Sequence, residues 1–199
     1  MPNTSDVRIG APDQGTTGAI LHAPLGTALP TMASISKTGV TWSGQSSFVG
    51  NEYVSEDGLT LSPARSTADI KDWSGSTVRK VLESFDGTLQ WTMISTDKNA
   101  LEIAFGSKHV TYLTAASTHG HQAQAALGAY LPDEYAWVFM MKDGDARIII
   151  AVPDGQITDV GDVIFANNAA VGWNVTLSCY PDSSGNSIYI ITDDGLYTT

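Results

Sequence analysis

The chain has 199 residues, a net charge of −11 and one cysteine; with no basic cluster it is poorly suited to gripping nucleic-acid phosphates, and it cannot form an intramolecular disulfide. No apolar run approaches the ~18 residues that cross a membrane, and the first residues lack the basic-then-apolar pattern of a signal peptide. A chain that starts soluble in the cell that makes it, without membrane insertion, is expected, with one β-domain over 19–199 because composition neither breaks nor repeats.

Residues 1–18 are rich in Gly, Pro and Thr with no period, and predict a flexible N-terminal arm. A short strand over 19–24 ends at Pro24. The segment 38–58 places Val40, Trp42, Phe48, Tyr53 and Val54 among glycines and serines, with acidic Glu52, Glu56 and Asp57, and predicts a long anchored loop. Strands follow over 58–63 and 68–73. From Val81 the odd positions are mostly apolar (Phe85, Leu89, Trp91, Met93), while Ser84, Asp86, Thr88, Gln90 and Thr92 are polar, so a strand over 78–94 has two unlike faces. Gly87 predicts a bend or bulge in it, and Lys80 shares the parity of Asp86. A capping Thr96 or Asp97, a first-turn carboxylate and Gly106 predict a short helix near 97–106 with Leu101, Ala104 and Phe105 on one face.

Strands are expected over 110–114, and at 121–131 a β assignment is preferred to a helical one. Tyr135–Met141 and Arg147–Val152, joined at Asp143-Gly144, predict a hairpin whose arms are apolar on both faces. Further strands fall at 156–165, 170–180 and 187–192, with Cys179 a core thiol. The fold class is mainly β: two packed antiparallel β-sheets, as a sandwich or barrel, with one short flanking α-helix. The second apolar faces are covered either by neighbouring subunits or by the helix and the long loop of the same chain.

No phosphate loop, dinucleotide fingerprint, zinc spacing or nucleophile elbow is present. His119-Gly120-His121 lacks a completing Cys or carboxylate, and the Asp-Gly pairs read as turn chemistry rather than calcium loops. Neither an enzyme nor a cofactor or metal site is expected.

Tyr53–Pro63, Asp69-Ile70-Lys71-Asp72-Trp73, Phe85-Asp86-Gly87-Thr88, Ala104-Phe105-Gly106, Met141–Arg147 and the closing run from Tyr180-Pro181-Asp182 to Asp193-Asp194-Gly195 resemble the major tail proteins of long flexible-tailed bacteriophages, the siphophages, especially those of actinobacteria. The resemblance implies a virion tail-tube subunit, assembled in the host cytoplasm into stacked hexameric rings. Such a tube conducts double-stranded DNA without specific binding and has tail-terminator, tape-measure and tail-tip proteins as partners. On that reading Ser84, Asp86, Thr88, Gln90 and Thr92 face the lumen, with the 135–152 hairpin as their partner in the wall. Val7, Ile9, Trp42, Phe48, Tyr53, Glu56 and Asp57 are ring-stacking candidates. The alternatives are a tail-terminator or minor tail ring protein, or a non-catalytic β-sandwich carbohydrate-binding module.

Overall fold

The computed structural model describes residues 7–13, 18–50 and 53–197. Residues 1–6 and 14–17 of the expected arm, and Glu52 of the expected loop, lie outside them. In chain order the strands are β1 (Ile20–Pro24), β2 (Ile35–Ser36), β3 (Gly39–Val40), β4 (Val49–Gly50), β5 (Val54–Lys71) and β6 (Thr77–Met93). Helix α1 (Lys98–Phe105) comes next, then β7 (Val110–Leu113), β8 (Gln122–Ala125), β9 (Tyr135–Asp143), β10 (Ala146–Val160), β11 (Trp173–Tyr180) and β12 (Tyr189–Asp193). The fold is mainly β, with antiparallel sheets and, among the described residues, a single α-helix.

The main sheet runs β4-β1-β9-β10-β11-β6-β5, with β12 following β11 along the same side of β10, and it is not closed into a barrel. Two strands separate β9 from β6, yet Trp91 of β6 meets Trp137 and Phe139 of β9 at ring separations of 5.6 and 5.4 Å. The sheet therefore curls until its two halves pack face to face. Leu89, Trp91, Met93, Val175, Leu177, Ile157 and Val152 fill the interior of that curl, and α1 closes it.

Asp97 caps α1 by accepting from the Ala100 N–H at 3.0 Å, and Gly106 ends it at φ +83°. The buried face is Ala100, Ile103 and Ala104. The face expected from sequence is thus rotated: Leu101 is half-buried, and Phe105, also half-buried, lies edge-on to Trp173 at 5.5 Å.

The expectation that the β9–β10 hairpin is covered on both faces holds, and the cover is intramolecular. One face joins the interior of the curl. The other, with Val138, Met140, Ile149 and Ala151, lies beneath Leu29, Ile35, Val40, Trp42 and Phe48 from residues 29–48.

Three local expectations are corrected. The two strands foreseen between residues 58 and 73 are one, β5, which continues through Pro63; at the outer edge of the sheet a missing N–H costs no ladder bond. The strands foreseen at 147–152 and 156–165 are likewise one, β10, with Pro153 in a register irregularity between Val152 and Gly155. Gly155 is there for close approach: a Cβ would lie 3.1 Å from Trp137 Cδ1 and 3.1 Å from Leu177 Cδ1. Finally, Gly87 is not a bulge, since the register to β5 runs unbroken through it, while pairing with β11 ends there. A Cβ there would sit 2.7 Å from Ile188 Cδ1, so glycine admits the 181–188 loop.

The stretch expected as a free arm is docked over residues 9–13. The Asp13 N–H donates to Met140 O at 2.9 Å, the Lys142 N–H donates to Ala11 O at 2.8 Å, and Arg147, 5% exposed, pairs with Asp13 at 2.9 Å. These contacts satisfy the edge of β9 that β1 is too short to reach.

His22 packs against Tyr135 and Trp137 with its Nδ1 buried and without a partner among the described residues, and burial pushes its pKa down from 6.5 to about 4. The imidazole is neutral in the fold but protonates in the unfolded chain, so its contribution is complete above pH 6.5 and is lost as pH falls toward 4. Urea unfolding at pH 7 and pH 4 should show the native protein losing about 2–3 kcal/mol more than His22→Gln does. Equal losses would show that His22 does not carry the effect.

Candidate functional site

The even-numbered residues expected on one face of β6 do lie opposite its buried residues, and the sheet extends that face across four strands. Gln90 stands beside Thr176 of β11, donating from Nε2 to Oγ1 at 3.2 Å; Asn174 donates from Nδ2 to Thr92 Oγ1 at 3.3 Å; Ser178 stands beside Thr88. On the other side Thr60, Ser62 and Ser66 of β5 pair with Gln90, Thr88 and Ser84. Beyond β11, Thr158 and Ser178 share a hydrogen bond of 2.8 Å, and the Tyr180 hydroxyl donates to Gln156 Oε1 at 3.1 Å. Period-2 reading could assign each of these strands a polar side. It could not place β10, β11, β6 and β5 side by side.

Between Thr60–Ser66, Ser84–Thr92, Asn174–Tyr180 and Asp154–Asp159 this face bears hydroxyls, amides and the carboxylates of Asp86, Asp154 and Asp159, and neither Lys nor Arg. Arg65 has the opposite parity and lies over the Phe85 ring at 5.3 Å. Burial, and secondarily Glu134, raises the Asp154 carboxyl above the usual range. The sequence placed Lys80 on this face, but register shifts between Ser66 and Thr67, where Glu83 is the extra residue of β6. That shift inverts parity toward the tip, so Lys80 lies across and pairs with Asp69 at 2.7 Å. The 135–152 hairpin is not the neighbour of β6 in this wall. β11 is, and the hairpin meets β6 only through the core.

Beyond Gly87, where β11 ends, β5 and β6 continue as an exposed hairpin reaching roughly 25–30 Å to the turn at Asp72. Asp72 Oδ1 accepts from the Ser74 hydroxyl at 2.6 Å and from the Ser74 and Ser76 N–H groups at 2.9 Å. These bonds, the Ser74 hydroxyl's first, hold its carboxyl below the usual range. The turn presents Trp73 entirely to solvent.

At the opposite end of the same strands a cleft of about 630 Å³ lies between the start of β5, the docked segment and β9. Tyr53 and Ile9 are exposed at it, Glu56 lines it and Asp57 stands beside, both on the irregular stretch of β5 between Val54 and Leu59. Val7 is also exposed. Trp42 and Phe48, by contrast, meet each other edge-on at 5.4 Å within the second core cluster, Phe48 buried and Trp42 half-buried, so their apolar surface is used within the chain.

Among the described residues no three His, Cys, Asp or Glu side chains gather as a metal set. His121 Nδ1 is taken up by the Tyr112 hydroxyl and the Ala115 N–H. No described helix is long and apolar enough to cross a membrane.

The fold is a curled β-sheet with one broad hydroxyl-rich face, a projecting hairpin and, among the described residues, open strand edges. Residues 2–199 match the family described as phage tail tube protein, and the chain belongs to that family. It is a structural tail tube protein, a virion component of the kind that self-assembles into a tube. No curated protein matches the chain.

Proposed function

We propose that this chain is the major tail tube subunit: six copies form a ring, rings stack into a hollow tube, and the β10-β11-β6-β5 face lines the bore through which DNA leaves the capsid. The observation that carries the reading is that face itself, four strands wide, backed by a buried apolar core and, across residues 60–66, 84–92, 174–180 and 154–159, free of Lys and Arg. A phosphate polymer meets hydroxyls and carboxylates there, forms no cationic contacts that must be broken, and is kept centred by repulsion. Among the described residues the outer edge of β5 is unpaired, and pairing it with a neighbour's sheet satisfies backbone groups that a lone subunit leaves to water. Tail-terminator, tape-measure and tail-tip proteins are the partners this role requires, with assembly in the host cytoplasm. Electron microscopy of the purified protein at rising concentration, alone and with tail tips, tests it. Hollow tubes of stacked rings are expected. Single rings that never stack would indicate a terminator, and a persistent monomer in the presence of tips would end the tube reading.

A further inference from the structure

Tip and cleft lie at opposite ends of one strand pair and are chemically matched. Residues 69–80 hold three cations (Lys71, Arg79, Lys80) against two carboxylates (Asp69, Asp72), a net +1 in a chain of −11. Lys80 is paired with Asp69, whereas Lys71 and Arg79 have no ion-pair partner among the described residues. Glu56 lines the cleft with Asp57 beside it, and Tyr53 at its rim with Phe139 and Met141 supplies an apolar aromatic-and-sulfur lining that suits an indole. Its volume falls in the range that encloses ligand-sized groups, about 300–1,000 Å³.

We infer that the Trp73 tip of one copy seats in the Tyr53–Met141 cleft of the next, with Lys71 and Arg79 over Glu56 and Asp57. Some 15 residues of strand separate the two, so no copy can fill its own cleft. Each insertion leaves a free tip at one end and a free cleft at the other, a head-to-tail contact that propagates along the strand axis. The inference rests on the tube reading, and names the contact that would join successive rings.

The test uses the full chain with Ser76→Cys at the tip and Ser55→Cys at the cleft, oxidised after assembly. Cys179 is buried, its thiol pushed up to about 12, and stays out of the reaction. An open-ended ladder of covalent multimers is expected from the double variant and not from either single one. Trp73→Ala should lower tube yield about tenfold or more while leaving circular dichroism and melting unchanged. Tubes without a ladder, a ladder that stops at dimer, or normal stacking by Trp73→Ala would overturn the inference and leave the tube reading standing. Failure of the unsubstituted chain to form tubes even on tail tips would remove both.

Discussion

Trp137→Ala is expected to lower the unfolding free energy by about 3–5 kcal/mol, the range for removing a large aromatic from a core. The indole is 1% exposed and touches the aromatic rings of three strands: Trp91, Phe139 and His22 lie 5.6, 6.3 and 5.2 Å from it. Its Nε1–H donates to Gly155 O at 3.1 Å, beside the backbone that glycine lets approach. Alanine would empty the centre of the curl and strip a buried carbonyl of its donor at once. Since domains of this size are stable by about 5–15 kcal/mol, a fifth or more of the total would go. Urea unfolding should show a large fall in midpoint for Trp137→Ala and a smaller one for Trp137→Phe, which keeps a ring but loses the donor. A loss below about 1 kcal/mol would mean that the two halves of the sheet do not depend on this contact.

Lysines on the polar face should leave the tube intact and impede its cargo. Ser84 and Asp86 are exposed, and Ser84 donates to Asp86 Oδ2 at 3.1 Å, so Ser84→Lys with Asp86→Lys alters no core packing. On the proposed six-fold ring the pair adds twelve cations per ring to a surface that has none there, and each phosphate neutralised must be released again as the polymer advances. DNA ejection from particles assembled with this variant should slow at least about tenfold at low salt. It should recover as salt is raised from about 50 to 200 mM, because affinities built on six to ten phosphate contacts fall about 10³–10⁵-fold over that interval. Asp86→Asn, which removes charge without adding a cation, should eject nearly normally. Unslowed ejection through the lysine tube would show that this face does not line the bore.

How far each reading could be made from sequence depended on whether its cause was local. Alternation in β6, the tight turn of the β9–β10 hairpin and the Asp97 cap all express interactions within a few residues, and each stands in the structure, with Gly144 and Asp145 as the two loop residues in place of Asp143 and Gly144. Long motif runs from Tyr53 to Gly195 identified the family by resemblance, and the family comparison agrees. A period of two says which residues share a side of one strand and nothing about the strand beside it. Hence Asn174, Thr176, Gln156 and Thr158 escaped notice as part of the polar face.

The sequence by itself determined a mainly β chain, its helix, the polar side of β6 and two doubly apolar hairpin arms. Only tertiary structure decided what those arms pack against, that Trp42 and Phe48 serve the core, and that residues 9–13 dock on β9. It also decided that Glu83 turns Lys80 away from Asp86. Each of these outcomes is set by chain segments tens of residues apart competing for the same surface, and by how far the sheet must curl before Trp91 meets Trp137. No local pattern encodes that competition, because its energy resides in the contacts made once the sheet has closed on itself.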